Sequence, residues 1–277
     1  MQKVCFRLKF PLPLLASIYC AVLFLSCSRA SEADPTAERG FDEAALDRVA
    51  SKSLYFGHMS VGYDIVDGIV ALAGNGLTIL DVTDLGPDGL PLAPVFAHSA
   101  IGENTKPLTK FADFEARVEN GMGANVDIAG MKLCYVDFDA ETDVRALFES
   151  YSAMIDRLRR EYPSVTFMHF TVPLTTVQKG PKALVKRLLG RMPTGAAENL
   201  ARQEYNELIR SSYGNRVFDL AELESTYPDG SRETGVIGGR RYYGLVPSYT
   251  ADGGHLNGAA SLMAAKKFIS FMDTIYQ

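Results

Sequence analysis

The chain has four histidines, and one of them, His255, follows an aspartate by three residues with two glycines between them. Asn257, a residue favoured at helix starts, comes next and precedes apolar residues at helical spacing. We therefore expect His255 at the mouth of a helix, with the Asp252 carboxylate folded back onto one ring nitrogen. That contact selects the tautomer whose other nitrogen can accept a proton.

A nucleophile for this base is available near the other end of the chain, at Ser60. The sequence YFGHMSVG places Ser60 on a glycine-flanked turn between a strand-like run and a helical run. In that position the hydroxyl leaves the sheet edge, and backbone N–H groups at the helix start face a developing oxyanion. An Asp-Gly-Gly segment alone is an ordinary turn. Combined with Ser60, it predicts a catalytic triad of Ser60, His255 and Asp252.

The elements that must position these residues alternate along the chain, without a linker or a repeat after residue 41. Alternating strands and helices predict one α/β domain, with a parallel sheet covered by helices on both faces. The active site is then expected beyond the carboxyl ends of the strands. The predicted strands are 53–57, 77–82, 126–138, 164–172 and 216–223, and the predicted helices are 61–73, 112–121, 142–161, 195–212 and 257–276.

This layout resembles the SGNH, or GDSL-type, hydrolases, which have a serine after the first strand and a D-x-x-H motif before the last helix. The resemblance covers most of residues 53–277, and DGGHLNGAA is its most specific part. It implies a flavodoxin-like three-layer α/β/α sandwich with a mostly parallel five-stranded sheet. It also implies hydrolysis of esters, often acyl groups on carbohydrates or lipids, with Ser60 as nucleophile, His255 as general base and Asp252 as its orienting partner.

The sequence departs from the family pattern in two places. The usual Gly-Asp-Ser is GHMS, in which His58 either shapes the turn or takes a direct part in catalysis or substrate contact. The usual Gly-x-Asn-Asp is missing at VDFD. By analogy, we assign the oxyanion hole to Ser60, the N–H of Gly102 and the amide of Asn104. Asp137 stands at the family's usual position, but a carboxylate would repel an oxyanion, so a supporting role is its alternative.

Two other classes of function compete with a serine esterase. The altered motifs suggest a non-catalytic lipoprotein that binds a glycan or a partner on the same fold. A metal-dependent hydrolase would use the four histidines, but no H-x-H, H-E-x-x-H or paired-cysteine spacing is present. We expect His98 to be structural or at the rim and His169 to lie in the core. We predict no metal and no cofactor.

The amino terminus predicts export. Residues 1–26 have a basic start and an uncharged run typical of a signal peptide, and LFLSC resembles the lipobox of bacterial lipoproteins. Cys27 would then be lipidated, and residues 27–40 would form a polar tether to the domain of residues 41–277. The expected location is periplasmic or at the cell surface, with membrane contact only through this lipid anchor.

The net charge of the chain limits the kinds of partner that it can bind. The formal net charge is −5, and no basic patch with interleaved aromatic residues occurs, so nucleic-acid binding is excluded. The expected partner is a small-molecule or carbohydrate ester. Cys134 lies in an apolar run and is expected to be buried.

Two further segments have alternative interpretations. Residues 178–195 are locally basic and form either a solvated helical insertion or a lid over the site. Residues 238–249 either line the site or form a surface loop.

Overall fold

The computed structural model describes residues 41–83 and 94–276. The predicted signal peptide 1–26, the tether 27–40 and Cys27 lie outside these residues. Within the described ranges, no helix combines the length and the apolar character needed to span a bilayer. The helices are α1 (Glu43–Ala50), α2 (Val61–Ala73), α3 (Pro107–Arg117), α4 (Gly123–Asn125), α5 (Val144–Glu161), α6 (Pro181–Leu188), α7 (Ala196–Tyr213), α8 (Leu220–Ser225) and α9 (Gly258–Tyr276). The strands are β1 (Leu54–His58), β2 (Ile79–Asp81), β3 (Phe96–Ala100), β4 (Ile128–Met131), β5 (Thr166–Phe170), β6 (Val217–Phe218), β7 (Thr234–Ile237) and β8 (Arg240–Tyr243).

Strands β1 to β6 form one parallel sheet in the order β2-β3-β1-β4-β5-β6, and β7 and β8 form a separate antiparallel hairpin. β1 lies inside the sheet, and all five of its residues are buried. Leu54 and Phe56 point into a core shared with α1, α2, α8 and α9, whereas Tyr55 points into a second core shared with α3, α5 and α7. The predicted α/β class, with helices on both faces of a parallel sheet, is confirmed.

The sheet has six strands rather than the predicted five, because β3 was not recognised from the sequence. Its residues His98 and Ser99 are polar, yet both are buried. The Ser99 hydroxyl lies 2.9 Å from the hydroxyl of Tyr55, and His98 Nδ1 lies 3.2 Å from His58 Nε2. These contacts with β1 satisfy polar atoms that would otherwise oppose burial. Without the short edge strand β2, the remaining order is that of flavodoxin-like sheets.

The last predicted strand is also shorter than expected. Only Val217 and Phe218 of residues 216–223 pair with β5. Asp219 then begins α8, because its carboxylate accepts a hydrogen bond from the N–H of Glu222 at 3.0 Å. An aspartate in this position is a strong helix N-cap, and it ends the strand.

The contact between α2 and α9 controls how the two ends of the chain meet. α2 begins just after Ser60, and α9 begins just after the segment that contains His255. Gly68 of α2 lies against the backbone of Ser261 and the methyl group of Ala265 in α9, so closely that a side chain at position 68 would collide with the Ser261 carbonyl. The absence of a side chain at Gly68 therefore sets the spacing of the two helices.

We predict that Gly68→Ala lowers the free energy of unfolding by about 1–3 kcal/mol, because the added methyl group forces the helices apart. Urea unfolding measures this change. Gly258→Ala is the matched control, since a methyl group there meets no atom within 4 Å. The free energy of unfolding of Gly258→Ala should stay within about 0.5 kcal/mol of the parent value or rise above it. Equal stabilities for the two variants would show that the α2–α9 contact is loose.

Candidate active site

Ser60 occupies a strained turn at the carboxyl end of β1. Its backbone angles are φ +55° and ψ −122°, a conformation that residues with a side chain rarely adopt. The residue directly precedes α2, and its Oγ lies 2.7 Å from Nε2 of His255. Gly62 permits this turn, because a side chain there would collide with His58. The turn therefore presents the Ser60 hydroxyl to the imidazole, although the two residues are 195 positions apart.

The His255 ring is held by Asp252 through a compact turn. Asp252 Oδ1 accepts hydrogen bonds from the N–H groups of Gly254 and His255, at 2.9 and 2.8 Å. Its Oδ2 lies 2.6 Å from His255 Nδ1. One carboxylate thus shapes the backbone and orients the ring, as the short Asp-Gly-Gly-His spacing requires. With the proton on Nδ1, Nε2 is free to accept a proton from Ser60.

The turn is joined to its surroundings on three sides. The N–H of Leu256 donates to Asp64 of α2 at 2.9 Å, and the N–H of Thr176 donates to the carbonyl of Gly253 at 2.9 Å. Asn257 accepts a hydrogen bond from the N–H of Ala260 at 3.1 Å, which confirms it as the N-cap of α9. The position of His255 therefore depends on α2, on the loop after β5 and on α9 together.

The charge of Asp252 is well stabilised. Its hydrogen bond with His255 and those from two backbone N–H groups lower the pKa of the Asp252 carboxyl below its ordinary value. The carboxyl therefore stays ionised throughout the neutral range. An ionised Asp252 can offset the positive charge that His255 acquires when it takes up a proton.

The oxyanion role predicted for Gly102 is wrong in this structure. The N–H of Gly102 already donates to the Asp113 carboxylate at 2.9 Å, so it is not free to bind an oxyanion. Asn104 is exposed, and its side-chain oxygen accepts a hydrogen bond from Lys110 at 3.0 Å. Among the described residues, no hydrogen bond joins Asn104 to the triad. Its oxyanion role stays a prediction.

Tyr135 lies in the site and was not identified from the sequence. It follows β4, and its ring meets the His255 ring edge-on with centroids 5.7 Å apart. A Cβ atom on Gly254 would come within 2.7 Å of the Tyr135 hydroxyl oxygen, so Gly254 makes room for this phenol. Burial raises the pKa of the Tyr135 phenol, with Asp252 adding to this rise, while a hydrogen bond with Ser60 lowers it. The net rise keeps the phenol neutral and able to donate.

Asp137 connects two loops beside Tyr135. Its carboxylate accepts hydrogen bonds from the N–H groups of Cys134 and Thr105, at 2.7 and 2.9 Å, and from Lys110 at 2.6 Å. The side chains of Lys110 and Asp137 are both fully buried. Asp137 thus holds the loop after β3 against the loop after β4. The carboxylate is fully engaged and does not face Ser60 in any described contact.

The other histidines lie behind the site or away from it. His58 is fully buried, and burial lowers its pKa to about 2, so it is neutral. It lies next to His98 in β3 and beneath the turn of Ser60. His169 is in the core, as predicted, where its Nδ1 lies 2.8 Å from the hydroxyl of Tyr151. No cluster of three or more metal-ligating side chains occurs in residues 41–83 and 94–276.

Buried charged residues form the floor beneath the site. Lys132 donates to the carbonyl of Met59, directly before Ser60, at 2.9 Å, and burial lowers the pKa of Lys132. Arg202 donates to the Tyr135 carbonyl at 3.0 Å and to the Thr175 hydroxyl at 2.9 Å. Cys134 is buried, as predicted. The signal for Lys132 and Arg202 was absent from the sequence, where each resembles an ordinary surface cation.

The comparisons with known proteins give structural likenesses at low identity. No protein-family model matches this sequence, and no curated protein matches it either. A Streptococcus pneumonia structure provisionally described as a platelet activating factor is 16% identical, with a TM-score of 0.48, over 84% of this chain and 92% of that one. A Slackia heliotrinireducens protein provisionally described as an SGNH hydrolase is 18% identical, with a TM-score of 0.45, over 80% and 99%.

The periplasmic domain of a Salmonella ser. Paratyphi A lipopolysaccharide acetyltransferase is 12% identical, with a TM-score of 0.45, over 85% of this chain and 89% of that domain. Several matched structures are thus named as GDSL or SGNH hydrolases, the family that the sequence motifs resemble. Because every one of these identities is low and every TM-score is under 0.5, the likenesses carry no inference about the chemistry of this chain.

The buried Glu224 predicts a pH dependence of stability. Burial raises its pKa from 4.5 to about 8, and one of its oxygens accepts a hydrogen bond from the N–H of Leu174 at 2.6 Å. Between these pH values the folded chain holds a proton that the unfolded chain has released. The free energy of unfolding should therefore fall as the pH rises towards 8, by up to about 1.4 kcal/mol per pH unit, and then level off.

Urea unfolding from pH 5 to pH 9 measures this slope. Glu224→Gln should remove the part of the slope that comes from this proton, whereas the exposed neighbour Glu222→Gln should retain it. The same slope in Glu224→Gln as in the parent would show that Glu224 does not hold the proton.

Proposed function

We propose that the protein is a serine hydrolase of the SGNH type that cleaves ester bonds by acyl transfer to Ser60. The observation that carries this proposal is the continuous hydrogen-bonded chain from Asp252 through His255 to Ser60, with distances of 2.6 and 2.7 Å. Such a chain supplies an activated nucleophile, a base and an orienting charge. A purely binding role would not need a strained serine placed against a tautomer-selected imidazole.

The reaction proceeds in two halves. Ser60 Oγ attacks the ester carbonyl carbon while His255 Nε2 takes the hydroxyl proton, and a tetrahedral oxyanion forms. When this collapses, the bond to the leaving oxygen breaks, and His255 returns the proton to the departing alcohol. A water molecule then attacks the acyl-Ser60 ester with His255 again as base. Collapse of the second oxyanion releases the carboxylic acid and restores the Ser60 hydroxyl.

Two donors are suited to the oxyanion. The N–H of Ser60 makes no hydrogen bond with the described residues, and it precedes α2, whose amino end attracts negative charge. The Tyr135 phenol is neutral and adjoins both Ser60 and His255. Tyr135 would thereby supply the side-chain donor that the family pattern assigns to the missing asparagine. Neutral donors fixed in advance stabilise the charge without reorganising during the reaction.

The substrate class follows from the resemblance and the predicted location. We expect acetyl or other acyl esters on a carbohydrate or lipid, since these are common substrates of the SGNH hydrolases. Export and a lipid anchor at Cys27 would bring the domain to such molecules in the periplasm or at the cell surface. The support for export is the layout of residues 1–26 alone.

Ser60→Ala tests the nucleophile. We expect hydrolysis of an aryl acetate to fall by at least about a thousandfold, because no other hydroxyl in residues 41–83 and 94–276 is paired with His255. Covalent labelling by a fluorophosphonate should also disappear. Ser270→Ala, on the exposed side of α9, is the matched control and should retain both activities. Full turnover by folded Ser60→Ala would remove Ser60 from the mechanism.

Tyr135→Phe tests the phenol as an oxyanion donor. We expect kcat for the aryl acetate to fall roughly a hundredfold with little change in KM, because the lost hydrogen bond forms fully only in the transition state. Steady-state kinetics measure both constants. Tyr162→Phe, whose hydroxyl is 3.4 Å from the Glu119 carbonyl, is a control away from the site. An unchanged kcat in Tyr135→Phe would contradict this role.

A further inference from the structure

Residues 178–195, which we call the basic segment, differ in charge from the rest of the chain. They contain five lysines and arginines and no acid, whereas the whole chain has a formal net charge of −5. The segment includes α6, and its ends are joined by a hydrogen bond from the N–H of Gln178 to the carbonyl of Thr194 at 3.0 Å. It is therefore a closed, positively charged projection from an acidic protein.

The basic segment exposes large apolar side chains that form what we call the apolar face. The exposed fractions are 58% for Leu184, 54% for Val185, 79% for Leu188, 68% for Leu189 and 47% for Met192. Leu184, Val185 and Leu188 lie on one side of α6. Leu189 and Met192 follow the carboxyl end of this helix. Ala183, on the other side of α6, is buried against the protein. The apolar face thus points into solvent.

Cations border the apolar face. Lys179 pairs with Glu233 at 2.8 Å, and Lys186 donates to the Thr194 hydroxyl at 2.6 Å. Lys182 and Arg191 are exposed, and neither forms an ion pair with any described residue. Exposed apolar residues in a row usually mark a binding surface. A row flanked by unpaired cations fits an anionic interface rather than a neutral one.

The basic segment also begins beside the candidate active site. Thr176, two residues before the segment, donates its N–H to the carbonyl of Gly253 in the Asp252–His255 turn. At the other end, a side chain on Gly195 would collide with the Thr176 carbonyl oxygen, so both ends of the segment meet at this point. Whatever the apolar face binds is therefore linked to the loop that carries the general base.

We propose that the apolar face docks onto the surface of a bilayer that contains anionic phospholipids. Apolar side chains would enter the boundary between headgroups and acyl chains, and the flanking cations would contact the anionic headgroups. Two other occupants fit less well. A second copy of this chain would place one basic segment against another, and the amino-terminal segment contains Lys3, Arg7 and Lys9 before any acid, so both would add like charges.

Co-sedimentation of the full chain with vesicles tests this docking. We expect binding to vesicles of equal phosphatidylglycerol and phosphatidylcholine, and at least about tenfold weaker binding to phosphatidylcholine alone. Leu188→Glu with Leu189→Glu should weaken binding to the anionic vesicles by about tenfold or more. Val70→Glu with Leu108→Glu, at positions 51% and 59% exposed on α2 and α3, adds the same two acids and should bind like the parent.

A second pair of variants separates charge from apolar contact. Lys182→Glu with Arg191→Glu should weaken binding to the anionic vesicles by about tenfold or more, whereas Arg145→Glu with Arg160→Glu changes the net charge equally and should not. Far-ultraviolet circular dichroism of each variant verifies the fold. Parent-like binding by both basic-segment variants, or no vesicle binding by the parent chain, would overturn the proposal. Loss of self-association in the Leu188/Leu189 variant without loss of vesicle binding would instead identify a second copy as the occupant.

The outcome is independent of the proposed esterase activity. Ser60→Ala should bind the vesicles as the parent does, because it leaves the basic segment unchanged. Turnover of a soluble aryl acetate should be the same in the Leu188/Leu189 variant and in the parent. Failure of the docking proposal would thus alter vesicle binding alone, and failure of the esterase proposal would alter hydrolysis alone.

Discussion

The close packing of α2 on α9 is the constraint on which the candidate site depends. The two helices pack on the same face of the sheet; α2 begins directly after Ser60, and α9 begins three residues after His255. A hydrogen bond of 2.7 Å leaves little tolerance for a change in helix spacing. Gly68 sets the distance between the two helices where it packs on Ser261. Nearer the site, the hydrogen bond from the N–H of Leu256 to Asp64 holds the chain before α9 against α2. The stability of the fold and the geometry of the candidate site are therefore linked through the same interface.

The buried charged residues beneath the site fix the positions of the surrounding loops more than they stabilise the fold. A buried ion pair such as Lys110–Asp137 costs desolvation energy that its attraction only partly returns. Asp137 also accepts hydrogen bonds from two backbone N–H groups, and the nearby Lys132 donates to the Met59 carbonyl. Three loops that follow β1, β3 and β4 are thereby fixed to one another. Such fixed loops are what a site needs when its donors must be in place before charge develops.

Much of the fold and the proximity of Ser60, His255 and Asp252 could be predicted because their signals are local. A strand, a glycine-flanked turn and a helix are adjacent in sequence around Ser60, and the Asp252 turn is complete within four residues. β3 was missed because its polar residues are satisfied only by the neighbouring strand, which no short pattern reveals. The N–H of Gly102 was assigned to an oxyanion although a distant carboxylate engages it. Tyr135 enters the site only because tertiary packing brings Gly254 to it.

The basic segment departs from the same edge of the sheet as the candidate site. Parallel strands end at one edge of the sheet, so Ser60, Tyr135 and the Asp252 turn share that edge with Thr176, from which the segment departs. If the apolar face lies on a bilayer, the loop bearing His255 is linked to the docked segment through the hydrogen bond from Thr176 to Gly253. An ester at the end of a lipid or of a surface glycan would then meet the site at high local concentration. Such docking would orient the domain, which membrane contact through the predicted lipid anchor at Cys27 alone would not require.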